Sequence, residues 1–444
     1  MAGGTFSSMN KVRPGAYINI ATEKDTTLNI GERGITTMAM ALNWGSVGEL
    51  IEITADEFLS GGTLAKIGLM NTDSSILPLK LAFENCSKVL LYNTSGTGTK
   101  ASKTLEDGLV ITAKYQGTFG NKIAILIKEA DELFTVETYV DGYFVDSQTV
   151  AGIADLVSND FVDFSGEGTL AVTESTLLTG GTTGEEVASV TYLSRYFNLL
   201  KAKRFNTLAI LTTTPSDITS AIAFAKEMIE VEGKYIQVVV ANAADADYEA
   251  VINVVNGIVT NEGVNIPANI FTAWVAGATA GADLTESLTG RIISNAESII
   301  NPLNNTAIET GLKNGKFILS LNQNGTVKVE KDINSLHTFT ADKSYLFSKN
   351  RIIREIYGIA VGIQDIWELT YIGKVSNNDA GRMLFKSSII NYLTGLQNDG
   401  AIEDFNKDFV IVEKGNDVDS VIASIAIKPV DSMEFLYMTI NVLR

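Results

Sequence analysis

The chain has 444 residues, enough for about three domains of ordinary size. Lys and Arg number 34 against 52 Asp and Glu, so the formal net charge is −18, which argues against nucleic-acid binding as the main role because phosphate contacts need clustered cations. Hydrophobic residues make up 45% and charged residues 19%, a composition that excludes a disordered chain.

A single cysteine and a single histidine restrict the chemistry further. Cys86 has no disulfide partner in the chain, and with His337 alone the usual Cys and His ligands of zinc are missing. We expect Cys86 to be a small buried apolar residue and His337 an exposed or capping residue at a domain junction. The first residues lack signal-peptide features, and no run of about 18 apolar residues could span a membrane. These features favour a soluble protein made in a cytoplasm.

The first 95 residues are predicted to form an arm and the start of an α/β domain. Residues 1–30 make the arm, in which Pro14 favours extended backbone and Tyr17 begins a short strand. Residues 31–95 begin the α/β domain, with strands over 47–53 and 88–92 and a helix over 77–85.

Residues 96–184 are predicted to form a β-sandwich insertion. Four β-branched and aromatic runs recur about every ten residues, over 109–115, 123–127, 134–139 and 144–150. Asp141-Gly142 between two of them predicts a type I′ hairpin turn, in which both central residues need positive φ. The glycine-rich stretch 180–184 ends the insertion as a linker.

Residues 185–335 alternate between strand and helix patterns, which predicts a parallel α/β sheet. The expected strands cover 208–211 and 236–240, and the expected helices cover 218–232, with Ser216 as N-cap, and 248–259. Asn324-Gly325 predicts a hairpin between 316–321 and 326–330.

A C-terminal α+β domain is predicted over 336–430, followed by an arm over 431–444. Its helices cover 352–367 and 383–396, and its strands cover 409–412 and 421–427. In the arm, apolar residues alternate with Tyr437, Thr439 and Asn441, which predicts a strand with one wholly apolar side. Such a strand has to pair with a sheet edge, either in its own subunit or, by strand exchange, in a neighbour.

Three chemical motifs are weak. Gly96-Thr97-Gly98-Thr99-Lys100-Ala101 fits a dinucleotide pattern, but no helix follows it and a flexible linker is favoured. Asp245, Asp247 and Glu249 alternate like calcium ligands without the glycine that the loop needs, so a solvated helix start is favoured. A serine nucleophile would need His337 as its base, but the sequence contains no Gly-x-Ser-x-Gly elbow that would carry such a serine. The sequence thus indicates no catalytic, cofactor or metal residue.

Segments along nearly the whole chain carry a family resemblance. They are Arg13-Pro14-Gly15-Ala16-Tyr17-Ile18-Asn19-Ile20, residues 109–120, Tyr139-Val140-Asp141-Gly142, residues 178–181 and residues 431–440. In this order they make the chain similar to contractile tail sheath proteins of phages and of phage-tail-like bacteriocins, of the Gram-positive type.

The resemblance implies a multidomain α/β fold with extended arms, a β-sandwich insertion, a domain of subtilisin-like topology and an α+β C-terminal domain that faces an inner tube. It implies a structural subunit, not an enzyme, in a helical homopolymer of stacked hexameric rings, and it implies no cofactor. Its partners would be itself, the inner tail tube protein, and baseplate and terminator proteins, with no nucleic acid and no stable membrane association. The particle, a virion or a phage-tail-like assembly, would be built in the bacterial host cytoplasm. It would contract from a metastable extended state to drive the tube through a cell envelope.

The resemblance also implies which residues meet between subunits. The donated strands are Tyr17, Ile18, Asn19 and Ile20 at one end, and Tyr437, Met438, Thr439, Ile440, Asn441 and Val442 at the other. The acceptor sheet contains Val410, Ile411, Val412, Ile422, Ile425 and Ile427. Arg382 and Lys386, one helical turn apart, are candidate tube contacts, although an ordinary solvated helix face is the simpler interpretation.

Two other classes of function remain open at this stage. An α/β enzyme with a β-sandwich accessory module needs polar groups at the carboxyl ends of strands 208–211 and 236–240, where Asn242 and the threonines at 212–214 offer little. A β-rich surface-binding protein predicts a secretion signal.

Overall fold

The computed structural model describes residues 2–4, 15–17 and 33–443. Near the N-terminus, Ala2–Gly4 and Gly15–Tyr17 pair as two parallel strands. Of the strand predicted over 17–20, only Tyr17 is among the described residues. Ile18, Asn19 and Ile20 lie outside the described residues.

A seven-stranded central sheet organises the α/β domain. In spatial order its strands are Lys316–Phe317, Val251–Val254, Gln237–Ala241, Thr207–Ala209, Ile35–Met40, Lys88–Asn93 and Leu50–Thr54. Neighbouring strands are parallel except at the edge strand Leu50–Thr54, which is antiparallel. After Ile35–Met40 the chain forms the edge strand Leu50–Thr54 and then Lys88–Asn93 between the two, whereas after Thr207–Ala209 it adds strands outward on the other side. The strand order therefore reverses at the pair Ile35–Met40 and Thr207–Ala209.

Helices cover both faces of the central sheet. The buried helix Ala268–Gly281 packs with Leu77–Phe83 on one face, and Ser189–Leu200 and Pro215–Glu230 pack on the other. Shorter helices at the edges of the domain are Ala55–Ser60, Thr63–Ile67 and Asn305–Lys313. Because both faces are covered, strands such as Val251–Val254 are buried at every position.

The helix predicted over 248–259 is wrong. That segment forms the central strand Val251–Val254 and a second strand, Gly257–Thr260, which pairs with Asn265–Ile266 and Ala296–Ile300. Half of its residues are β-branched, and every position of Val251–Val254 is buried, which suits a strand between two helical layers better than an amphipathic helix. The predicted N-cap also differs, because the helix Pro215–Glu230 is preceded by Thr214, and Ser216 lies inside it.

The hairpin predicted at Asn324-Gly325 is confirmed. Leu319–Leu321 pairs with Val327–Val329 across that turn, while Lys316–Phe317 belongs to the central sheet. The hairpin therefore packs beside the sheet instead of extending it.

Residues 100–177 form a β-sandwich of two antiparallel sheets. The four-stranded sheet contains Tyr143–Val150, Leu133–Val140, Ile123–Ala130 and Thr173–Leu177, and the three-stranded sheet contains Val162–Gly166, Leu109–Gln116 and Lys100–Thr104. Asp141 and Gly142 have φ of 49° and 83°, so the predicted turn with two positive φ angles is confirmed.

Two chain segments connect the sandwich to the α/β domain side by side. Ser95 bridges to Glu186, and Thr99 bridges to Thr182. A Cβ atom at Gly98 would lie 1.9 Å from the carbonyl oxygen of Thr182, so this glycine permits the close approach of the two segments. A strand and not a helix follows, as the linker interpretation requires.

The C-terminal part contains two long helices and two small two-stranded sheets. Asn350–Ile366 continues through one π-helical turn, Trp367–Tyr371, and the second helix is Asp379–Asn398. Val410–Lys414 and Val421–Ile425 pair as an antiparallel hairpin, here called the C-terminal hairpin, and Ile402–Glu403 pairs with Lys428–Pro429. Phe385, Ile389, Leu393 and Leu396 face the core, whereas Met383 and Leu384 of the predicted apolar pattern face solvent.

The strand predicted at the C-terminus is not formed in the single chain. Residues 430–443 have no helix or strand. A strand is stable only where a sheet edge accepts its backbone hydrogen bonds. The Val430 N–H donates to the Ala401 carbonyl oxygen over 3.0 Å, but residues 431–443 lie along no sheet edge. None of the described helices is both long enough and apolar enough to cross a bilayer.

Candidate assembly site

Residues 435–443, here called the free tail, leave most of the surface of their large apolar side chains exposed. Leu436 is 83% exposed, Tyr437 92% and Val442 88%, and the other large apolar residues of the tail are also mostly exposed. Single chains rarely leave so many contiguous apolar side chains in water, because each buried one would stabilise the protein by about 1.5–3 kcal/mol. The free tail therefore has the composition of a buried strand without the surroundings of one.

Residues 431–434, here called the root, are held firmly by the body of the chain. The Lys349 ammonium lies 2.9 Å from Asp431 and forms a closer ion pair with Glu434. The side chains of Lys349 and Glu434 are 4% and 5% exposed, and the Thr289 hydroxyl donates to Glu434 over 2.8 Å. Burial by itself would lower the pKa of Lys349, but hydrogen bonds to Glu434 and Asp431 outweigh it and raise that pKa.

The root thus fixes where the free tail leaves the surface. Lys349 directly precedes the helix Asn350–Ile366, so the ion pairs attach the root to a rigid element. Phe435, the residue after Glu434, still contacts the body of the chain, because the Lys331 ammonium lies 5.3 Å from the centre of the Phe435 ring. The ion pair between Lys349 and Glu434 is here called the clamp. The sequence did not predict it, because it joins residues 85 positions apart and no local pattern marks it.

The C-terminal hairpin brings together most of the predicted acceptor residues, but on two faces. Val410, Val412, Ile425 and Ile427 turn toward the core below, whereas Ile411 and Ile422 lie on the outer face and are about half exposed. In the described part of the chain each strand of this hairpin pairs only with the other. Both outer edges therefore offer backbone groups that a further strand could use.

Comparisons with known proteins agree along the whole described body of the chain. Four family profiles match in succession: the Gp18 domain III N-terminal region of tail sheath proteins (residues 33–93), the phage tail sheath β-sandwich domain (96–183), the phage tail sheath central domain (187–335) and the phage tail sheath C-terminal domain (342–443). A sheath tail protein from Desulfitobacterium hafniense is 38% identical, with a TM-score of 0.77 over 95% of this chain and 98% of the other. This chain belongs to the phage tail sheath family.

Other tail sheath relatives support the assignment. A sheath tail protein from Listeria innocua is 32% identical, with a TM-score of 0.82 over 91% of this chain and 93% of the other. The phage-like element PBSX protein XkdK of Bacillus subtilis is also 32% identical, over the full length of both chains. The contracted helical sheath of the anti-feeding prophage shares the fold, with a TM-score of 0.58 over 96% of this chain and 98% of the other, at 12% identity.

Membership of the sheath family confirms three of the predictions. The family resemblance is confirmed, the mixed α/β fold with a β-sandwich domain is confirmed, and the chain is a structural sheath protein and not an enzyme. The enzyme and surface-binding alternatives are therefore set aside.

The two candidate tube-contact cations of the sheath chain are not equivalent. Arg382 is only 14% exposed, is paired with Asp379 and donates to the Asn377 side chain over 2.8 Å. Asn377 in turn donates to the carbonyl oxygens of Val418 and Ser420 at the tip of the C-terminal hairpin. Lys386 forms no ion pair within the described residues. Arg382 thus supports the hairpin, and Lys386 is the cation available to a partner.

The motifs at 245–249 and at His337 take structural roles. Asp247 accepts hydrogen bonds from the backbone N–H groups of His337 and Thr338, over 2.8 and 3.2 Å, and Glu249 is buried against Lys343. No helix starts there, so the predicted solvated helix start is wrong. No group of three possible metal ligands occurs within the described residues. Cys86 is buried as expected, and its burial raises the pKa of the thiol to about 12.

A buried carboxyl group lies close to the root. Glu355 is fully buried in the helix Asn350–Ile366, 3.3 Å from Arg351, and one of its oxygens has no hydrogen-bond partner within the described residues. Burial raises its pKa from 4.5 to about 8, helped by the charge of Asp431 and opposed by Arg351 and Arg354. Glu355 therefore keeps its proton to a higher pH in the folded chain than an exposed glutamate does.

Replacing Glu355 by glutamine is expected to remove one contribution to the pH dependence of stability. Since the folded-state pKa is the higher one, the stabilising contribution is fully present below pH 4.5 and is lost as the pH rises through 8. The wild-type free energy of unfolding should therefore fall more steeply over this window than that of Glu355→Gln. Urea unfolding at several pH values measures this, with Glu309→Gln on an exposed helix as the control. Parallel curves for wild type and Glu355→Gln would disprove the assignment.

Proposed function

We propose that this chain is the subunit of a contractile tail sheath that polymerises helically around an inner tube by strand exchange. The observation that carries the proposal is a free tail of apolar residues that leaves a clamped root. A clamped root with an uncovered apolar tail suits a segment that is completed by another copy of the chain. The C-terminal hairpin, with two unpaired edges, is the acceptor that we assign to it.

The length of the free tail suits this role. Nine extended residues span on the order of 30 Å, at about 3.3 Å per residue, which is enough to reach a neighbouring subunit. The N-terminal arm, from Tyr17 through Ile18 and Asn19 to Ile20, would donate a second strand. Head-to-tail contacts of this kind do not close on themselves, so they generate a helical array.

The same connections between subunits would allow the sheath to contract without coming apart. We infer that the sheath assembles in a metastable extended state and moves to a state with more buried contacts, driving the tube through a cell envelope. Exchanged strands would keep subunits linked while the segments that lead to them bend. At the C-terminal end, such bending would take place beyond the root at 431–434.

The family resemblance implies further features of the fold and of the assembly. We propose a subtilisin-like topology for the central sheet, and domain limits at 31–95 with 185–335, 96–184 and 336–430, flanked by arms at 1–30 and 431–444. Stacked hexameric rings would contact an inner tube protein, a baseplate and a terminator. Structural neighbours include a protein from the anti-feeding prophage baseplate, at 11% identity. Assembly would take place in the cytoplasm of the bacterial host.

Electron microscopy of the purified full-length protein tests the proposal. We expect cylinders or stacked rings, formed above a threshold protein concentration. A preparation that remains monomeric at every concentration, and also in the presence of the cognate tube, would contradict it.

Replacing Lys386 by alanine is expected to weaken loading of the sheath onto its tube. The available ammonium would make an electrostatic contact with an acidic tube surface, which screening by salt would weaken further. Co-sedimentation with purified tubes measures loading, and Lys407→Ala, an exposed lysine of the same domain, is the matched control. Arg382→Ala should instead disturb the C-terminal hairpin. Normal loading of Lys386→Ala at low salt would remove the proposed contact.

A further inference from the structure

A cavity of about 500 Å³ opens at the carboxyl end of the central sheet. It lies where Ile35–Met40 and Thr207–Ala209 meet, and Met40, Ala41 and Thr212 line it just beyond these strands. This is the pair of strands at which the sheet order reverses. In open α/β sheets ligands bind preferentially in the crevice at that point.

The polar lining of this cavity is acidic. Glu186, from the segment that returns from the sandwich, and Asp217, in the first turn of the helix Pro215–Glu230, are its two carboxylates. None of the described residues that line it is Lys, Arg or His. Tyr192 lines the same wall, and burial followed by the charges of Asp217 and Glu186 raises the pKa of its hydroxyl to about 12.

Asp217 lacks a partner that its burial requires. Its side chain is 3% exposed, and one carboxylate oxygen has no hydrogen-bond donor within the described residues. A buried carboxylate without a donor costs more free energy than a typical hydrogen bond contributes. Asp217 also lines the cavity, so a donor bound there would lie beside this carboxylate and could bond to it after a small rotation of the side chain.

We infer that this cavity binds an organic cation, an alkylammonium or guanidinium group, whose N–H donors reach Asp217 while Glu186 lies at the rim. The hydrocarbon part of the cation would lie against the apolar lining, which includes Met40 and Leu193. Two carboxylates fall short of a metal ligand set, and no three-residue ligand group occurs within the described residues. A cation of this class is either a free amine or a lysine or arginine side chain of a second copy of the chain.

Calorimetric titration of the unassembled protein with butylammonium and with methylguanidinium tests the inference. We expect saturable binding at one site, weakened at least tenfold in Asp217→Asn and to a smaller extent in Glu186→Gln. Asp155→Asn, which removes the same charge from the exposed surface of the sandwich, should bind as wild type does. Thermal unfolding of each variant shows whether it is folded, and Glu186→Gln retains the test if Asp217→Asn is not.

Repeating the titration on assembled cylinders separates the two sources of the cation. Loss of butylammonium binding on assembly means that a neighbouring subunit fills the cavity, and retained binding means that a free amine does. Absence of saturable binding to the unassembled protein, or equal binding by wild type and Asp217→Asn, would overturn the inference. Neither result depends on whether the free tail exchanges, so failure here leaves the proposed function standing.

Discussion

A chain that ends at Glu434 is expected to fold normally and to form no cylinders. The free tail makes few contacts with its own body, so its removal should leave the free energy of unfolding almost unchanged. In an assembled sheath its apolar side chains would each contribute about 1.5–3 kcal/mol when fully buried, in addition to main-chain hydrogen bonds. Thermal unfolding and electron microscopy of the same preparation measure the two effects.

A matched pair of full-length variants shows whether one side of the strand carries this effect. Leu436, Met438, Ile440 and Val442 point to one side of an extended strand, and Thr439 and Asn441 point to the other. Serine at all four apolar positions should prevent assembly, whereas Thr439→Ala with Asn441→Ala should permit it. Cylinders of normal length from the truncated chain would refute the role given to the tail.

Replacing Lys349 by alanine is expected to have the second largest effect. It removes the nearest cation from the buried Glu434 carboxylate and leaves only Lys331, whose ammonium lies 3.9 Å away. Breaking a buried ion pair on one side costs about 3–5 kcal/mol, of which Lys331 should offset a part. The root should detach, either destabilising the chain or freeing the tail at a wrong position. Assembly should then require a higher protein concentration. Urea unfolding and the concentration threshold for cylinder formation measure these two results.

Lys428 provides the matched control for Lys349. It too lies between two carboxylates, 2.7 Å from Glu403 and 2.9 Å from Asp404, but it is 60% exposed. Exposed ion pairs contribute little to stability, so Lys428→Ala should fold and assemble almost as wild type does. Equal effects of the two substitutions would show that the root is not held by a buried clamp.

The sequence predicted the β-sandwich better than the central sheet. Strands such as Tyr143–Val150 are half exposed and separated by turns with recognisable chemistry, so a local pattern defines them. The segment 251–259 has Val or Ile at six of its nine positions, and such a run does not distinguish a strand covered on both faces from a buried helix. The strand Ile35–Met40 went unpredicted although it occupies the middle of the sheet.

For the assembly site, the sequence indicated the segments but not the contacts that position them. Alternation over 436–442 marked the tail as an unpaired strand, which local periodicity can reveal. The clamp between Lys349 and Glu434 and the support of the C-terminal hairpin by Arg382 and Asn377 depend on tertiary packing. Helical spacing shows which face of the helix carries Arg382, but it does not show which residues of other segments contact that face. The sequence alone therefore suggested a surface cation.

Crosslinking between single-cysteine variants shows whether the free tail of one subunit reaches the C-terminal hairpin of a neighbour. Cys86 is buried and can be replaced by serine, after which Met438→Cys is placed in one preparation and Ile422→Cys in another. The two are mixed, assembled and treated with a short bismaleimide crosslinker. A covalent dimer that forms only in the mixed cylinders is the predicted result. A crosslink that forms only within one chain carrying both cysteines would contradict the account.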